Sequence, residues 1–138
     1  MVIKHIAGKR VDCSADAGEV LRTILETEDE TDREKEHFWV IGLSTKNVIK
    51  FIELASLGTL DCSLIHPRET FRLAIGQGVS AIIVGHNHPS GDPAPSKDDI
   101  AITKRLKAAG EIIGIELLDH VIIGGKGRFV SLQEKGHL

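Results

Sequence analysis

The segment Val79-Ser80-Ala81-Ile82-Ile83-Val84-Gly85-His86-Asn87-His88-Pro89-Ser90-Gly91-Asp92-Pro93-Ala94-Pro95-Ser96-Lys97-Asp98-Asp99 reads as an apolar strand, a rigid loop and the start of a helix. The run 79–85 is apolar almost throughout and ends on a glycine, which predicts a buried strand that delivers His86 and His88 at its end. Side chains at i and i+2 of an extended segment share a face, so both imidazoles can reach one ion. Pro89, Gly91, Pro93 and Pro95 keep the loop out of regular structure. Helical spacing then begins, with Ile100, Leu106 and Ala109 as its apolar positions and Ser96 where an N-cap belongs. Asp99 falls in the first helical turn, facing back toward the strand end.

Two neutral nitrogens and a carboxylate with an open fourth position form the ligand set of a catalytic zinc, whereas structural zinc sites are closed by four Cys or His ligands. Taken alone, Ser96-x-x-Asp99 reads as a helix-capping arrangement, and His86-x-His88 as two exposed imidazoles at a strand end. The joint pattern is stronger than its parts, because both histidines, the rigid loop and the helix-start carboxylate stand in register. A metal held this way activates water near neutral pH and polarises a carbonyl, which suits amide hydrolysis.

The order His86-x-His88, seven residues, Ser96-x-x-Asp99 resembles the JAMM motif of the JAB/MPN zinc metallopeptidase family. The wording of the loop, from His86 to Ser96, is similar to the RadC branch of that family. Glu36-His37-Phe38-Trp39-Val40, Gly58-Thr59-Leu60, His66-Pro67-Arg68-Glu69, Leu118-Asp119-His120 and Val130-Ser131-Leu132 agree in order and spacing, so the resemblance covers the chain from about Ala15 onward. It implies that His86, His88 and Asp99 bind zinc, one ion per chain, and that Ser96 supports the oxyanion of the tetrahedral intermediate. It also implies an upstream glutamate at the entry to the first core strand, which holds the attacking water and serves as general acid and base.

Glu36 is the best counterpart for that glutamate. It immediately precedes the apolar strand candidate 37–43, whereas Glu34 beside it reads as a solvated charge. Glu53 is another upstream carboxylate, and Glu69 follows Pro67, where a first-turn carboxylate is favoured by the helix dipole.

Outward from this segment, Val20, Leu21, Ile24 and Leu25 recur at helical spacing and predict a first amphipathic helix over about 15–26. The acidic run 26–32 has no apolar anchor and reads as a solvated helix end or loop. Strands are expected at 37–43 and 47–57, joined by a polar hairpin turn at 44–47, and a short strand at about 60–65. Pro67 opens a helix to about Gln77 with Phe71, Ala74 and Ile75 on its inner face, and a further helix covers 97–109. Strands at 111–118, 121–123 and 129–132 complete the pattern, the last two joined by a hairpin turn at Gly124-Gly125-Lys126-Gly127. No helical pattern follows that glycine run, which makes it a poor phosphate loop.

Strands interspersed with about three helices indicate an α/β domain with a mixed sheet flanked by helices. The resemblance implies the same, a curved sheet of JAB/MPN type with cytidine-deaminase-like architecture. At 138 residues with 41% hydrophobic content, the chain can bury one core, so residues 1–138 are read as a single domain. RadC-type proteins often carry an N-terminal helix-hairpin-helix region, and this chain is expected to lack it.

Asp119-His120 admits two readings: either residue accepts the free ring proton of a metal-bound imidazole or lines the cleft, or the two form a strand turn with a hydrogen-bonded polar pair. Phe38 and Trp39 lie in an apolar strand and are read as core. Cys13 and Cys62 are too isolated for a disulfide framework and are read as inert packing residues. No apolar run approaches the roughly 20 residues that span a bilayer, and Met1-Val2-Ile3-Lys4-His5-Ile6 lacks the features of a signal peptide, so a cytoplasmic location without membrane association is expected.

Three functions are compatible with these residues. The leading one is a zinc-dependent hydrolase of peptide or isopeptide bonds acting on a protein or peptide. The second is a binding or scaffold module in DNA repair or mobile-element biology, which the RadC resemblance suggests. A net charge of −3 offers no electrostatic footprint for direct nucleic-acid contact. The third is a metal-dependent nuclease, disfavoured because phosphodiester cleavage commonly uses two metals and cationic clamps.

Overall fold

In a computed structural model of the chain, residues 8–58 and 65–138 are described in full and residues 2–3 by their backbone. The described elements run β1 (Val2–Ile3), α1 (Ser14–Glu26), α2 (Glu30–Arg33), β2 (Glu36–Leu43), β3 (Ile49–Gly58), α3 (Pro67–Gln77), β4 (Ala81–Asn87), α4 (Lys97–Ile113), β5 (Glu116–Ile123) and β6 (Phe129–Ser131). The strands form one sheet in the order β1-β3-β2-β4-β5-β6. Only β4 and β5 pair in parallel, joined across α4, and the other neighbours are antiparallel. The expected α/β class with a mixed, helix-flanked sheet is therefore the one observed.

Alternation along the strands sorts the core into two layers. Trp39, Ile41 and Leu43 of β2, Ile83 of β4 and Val121 and Ile123 of β5 pack with Ala17, Val20, Leu21 and Ile24 of α1. Phe38, Val40, Ile82, Val84 and Leu117 pack on the opposite face with Phe71 and Ala74 of α3 and Ile102 and Leu106 of α4. Phe38 and Trp39 are core residues, as expected, but on opposite faces. The helix face of α3 differs from expectation at one position: Ile75 is 57% exposed, and Thr70 takes the inner place.

Three boundaries depart from the sequence reading. The fourth strand does not end at Gly85 but continues through Asn87, because Gly85 is an interior position whose missing Cβ admits α1: a Cβ there would lie 2.2 Å from Leu21 Cδ1. The strand expected at 111–118 is helical in its first part, since α4 runs on to Ile113 and stops at Gly114, whose φ of 87° is left-handed. The remainder joins 121–123 in the single strand β5, so Asp119 and His120 lie inside a strand rather than at a turn.

The acidic run 26–32 is largely exposed, as expected, and holds the end of α1 and the start of α2, which buries no residue; Glu28 reaches inward to meet the fully buried His37. Cys13 is exposed at the N-cap of α1 instead of packed. Cys62 and most of the strand expected at 60–65 lie outside the described residues. No helix among the described residues is long and apolar enough to cross a membrane.

Candidate metal centre

The site assembles where β2, β4 and α4 meet at one end of the sheet. In the antiparallel β2–β4 pair Phe38 stands opposite His86, so Glu36, two residues earlier on β2, reaches the end of the sheet at which His88 leaves β4. Glu36 shares the strand parity of Phe38 and Val40, and His86 that of Ile82 and Val84, so both face the α4 layer. On that side Ser96 caps α4: its Oγ accepts the Asp99 backbone N–H at 3.1 Å, while an Asp99 carboxylate oxygen accepts the Ser96 N–H at 2.8 Å. This is a complete capping box, and it fixes the Asp99 side chain at the helix start. The capping and ligand readings of Ser96-x-x-Asp99 are thus compatible in one geometry.

His86, His88 and Asp99 converge, with one ligand atom from each lying within 4.8 Å of the others. Asp99 Oδ1 is 3.2 Å from His86 Nε2, Asp99 Oδ2 is 3.2 Å from His88 Nε2, and the two Nε2 atoms are 2.9 Å apart. The His88 Nδ1–H donates to the Asp92 carbonyl at 2.9 Å, which directs the other nitrogen of the ring toward Asp99. Burial works to raise the Asp99 pKa, but the two imidazoles and the Ser96 N–H overcome it and hold the carboxyl well below the usual carboxylate range. Asp99 in turn pushes the His88 imidazole up. Two Nε2 atoms and a carboxylate held ionised match the donor set of a zinc site that keeps a position open.

A cavity of about 190 Å³ opens beside these donors, and Glu36, His86, His88, Ser96, Asp98, Asp99 and Ile102 line it. All five residues singled out in the sequence therefore border one space. The rival carboxylates do not: Glu34 is exposed, Glu53 lies on β3, and Glu69 on α3 ion-pairs at the surface with Arg72 at 3.7 Å.

Behind the donors lie polar residues that are almost wholly buried. His86 Nδ1 is 2.7 Å from His120 Nε2, and His120 Nδ1 is 2.6 Å from Thr103 Oγ1. Burial first, and then the neighbouring His86, push the His120 imidazole well below its ordinary pKa. Asp119 points to the other face, where its carboxylate accepts from the His120 N–H at 2.7 Å, Ser131 Oγ at 2.7 Å and the Gln133 N–H at 3.1 Å. Asn87, between the two histidines, bonds the backbone of Lys35 and His37.

Thr103 and Asn87 were not singled out in the sequence. The signal for Thr103 is its spacing of four from Asp99, one helical turn along the same face. For Asn87, at the strand's end, no local signal exists, because its partners are some fifty residues away.

The RadC-like JAB domain family matches residues 11–137. A UPF0758 protein of Caldanaerobacter subterraneus subsp. tengcongensis is 57% identical over 103 residues, 75% of this chain and 44% of that protein. A UPF0758 protein of Desulforamulus reducens is 53% identical over 112 residues, 81% of this chain and 49% of its own length. One from Bacillus cereus is 52% identical over 105 residues, covering 76% and 46% respectively. The chain thus spans a little under half the length of these curated relatives.

Proposed function

The chain belongs to the RadC-like JAB domain family, and from that premise we propose that it is a zinc-dependent hydrolase of JAMM type that cleaves peptide or isopeptide bonds. The observation that carries this reading is the convergence of His86, His88 and Asp99 beside a cavity that Glu36 and Ser96 also line. His86 Nε2, His88 Nε2 and the Asp99 carboxylate would hold the metal. Zinc at such a site supplies Lewis acidity, lowering the pKa of water and polarising the scissile carbonyl.

The chain's own residues supply the rest. Glu36, at the cavity wall, accepts the proton of the attacking water and passes it to the leaving amine. Ser96 Oγ already accepts the Asp99 N–H, so its own hydroxyl proton is available to the oxyanion that forms on the carbonyl. The capping box keeps that hydroxyl and the Asp99 carboxylate at a fixed separation. The chain is read as one RadC-type domain, because both apolar layers pack on a single sheet. Its substrate is a protein or peptide.

Elemental analysis of the purified chain, repeated on Asp99→Ala, tests the metal reading. One zinc per chain in the parent and a large loss in the variant are expected. Equal zinc in both would overturn the ligand assignment.

A further inference from the structure

His86, His120, Thr103 and Asp99 close a ring of contacts that begins and ends on two of the residues assigned to the metal. His120 and Thr103 are 0% exposed, and His86 is 2% exposed. Burying an imidazole and a hydroxyl is costly unless each is satisfied, and an apolar pair would fill the same layer between β5 and α4 at less cost. The polar pair therefore calls for a reason beyond packing.

The direction of the hydrogen bonds can be followed from one end. The Thr103 hydroxyl donates to the Asp99 carbonyl at 2.7 Å, and a carbonyl can only accept. Thr103 Oγ1 then has only lone pairs to offer His120, so His120 carries its proton on Nδ1, 2.6 Å away. A neutral imidazole protonated at Nδ1 is bare at Nε2, and that nitrogen faces His86 Nδ1 at 2.7 Å. His86 must therefore be protonated at Nδ1. In the neutral ring its Nε2 is then a lone pair, and that atom is the one directed at Asp99 and His88. The reverse order would put a proton on His86 Nε2, where it would block a metal.

We infer that His120 and Thr103 are positioning residues for the metal centre, a relay that holds His86 in the tautomer and orientation that present its Nε2 lone pair. The inference rests on the metal reading above. It also decides between the readings of Asp119-His120: the two alternate across the strand, so His120 serves the site while Asp119 secures the opposite face. Because α4 carries both Asp99 and Thr103, the same helix that offers one ligand orients another through β5.

The test compares zinc affinity, by competition against a chromophoric chelator, in the whole chain and in Thr103→Val and Thr103→Ser. Valine keeps the shape and removes the hydroxyl, and serine keeps the hydroxyl. Thr103→Val is expected to bind zinc about 10- to 100-fold more weakly, the usual loss when an outer-shell partner is removed, with Thr103→Ser close to the parent. Unchanged affinity in Thr103→Val, or an equal fall in both variants, would overturn the relay while leaving the metal site standing. A parent chain that takes up no zinc would overturn both. Independently of any variant folding, long-range nitrogen–proton correlation spectra of the parent's imidazoles should show His120 protonated at Nδ1. Protonation at Nε2 would overturn the relay.

Discussion

The Oδ1 of Asn87 accepts the backbone N–H of His37 at 2.6 Å. Its Nδ2 donates to the Lys35 carbonyl at 3.0 Å, so one buried amide holds the chain on both sides of Glu36. Asn87 sits between His86 and His88, and the two proposed metal donors are thereby tied to the backbone that presents Glu36. His37 adds to the clamp: its ring bonds the Lys35 carbonyl at 2.8 Å through Nδ1, pairs with Glu28 through Nε2, and stacks on Trp39.

Asn87→Ala leaves the Lys35 carbonyl with its His37 partner but strands the buried His37 N–H. An unsatisfied buried donor costs about 1–3 kcal/mol, and that loss should appear as a lower urea midpoint with an unchanged m-value. Zinc content should be retained, because no ligand is touched. A stability equal to the parent would show that the clamp contributes nothing.

Glu36→Gln keeps the shape of the side chain and removes its ability to take a proton. Zinc content should stay at the parent level while turnover of a cleavable peptide or isopeptide substrate falls by about 10²- to 10⁴-fold, the usual contribution of a positioned acid–base group. Substantial surviving turnover would move the role to another group.

The elements that made this geometry legible are those whose signal is local. The apolar run before His86, the proline-rich loop and the Ser96 cap each lie within a few residues, so strand, loop and helix start could be read in sequence. Glu36 became visible only through the family resemblance, since its neighbours across the cavity are about fifty residues away on β4 and sixty on α4. Asp119 and His120 suggested a turn because they interrupt an apolar pattern. The strand passes through them because Thr103, His86, Ser131 and Gln133 satisfy them from elsewhere in the chain. The overrun of α4 has a similar cause. Ile112 and Ile113 favour a strand by propensity, yet Ile112 is 88% exposed on a helix whose end is set by Gly114.

Asp119 gives the fold a defined response to pH. Burial raises its pKa above the ordinary 3.8, against the opposing pull of Ser131 Oγ and the Gln133 and His120 N–H groups. A raised folded-state pKa means that its contribution is fully present below about pH 3.8 and is lost as pH rises through the folded value. Asp119→Asn removes that dependence. The stability of the parent relative to the variant should therefore decline between acid and neutral pH, as measured by denaturant unfolding at several pH values. A difference that grew with pH would mean that the carboxylate is favoured in the ionised form.

The contact between Gly85 and Leu21 sets how closely α1 lies on the sheet, and hence the shape of the strand that ends in the proposed metal donors. A Cβ at position 85 would stand 2.2 Å from Leu21 Cδ1 and 3.2 Å from the Val121 carbonyl oxygen. The leucine is a movable side chain, while the carbonyl belongs to the neighbouring strand and cannot yield as far. Gly85→Ala should therefore destabilise by about 1–3 kcal/mol, the usual cost of overpacking. Leu21→Ala alone should cost about 2–5 kcal/mol as a cavity in the α1 layer. In the double variant the new methyl enters space vacated by the leucine, so the loss should be smaller than the sum of the two, with the residual strain reporting the Val121 carbonyl. Strict additivity in thermal or urea unfolding would show that the two positions do not compete for the same space. Because Gly85 directly precedes His86, the single variant should also weaken zinc binding, and Leu21→Ala should restore part of it in the double variant.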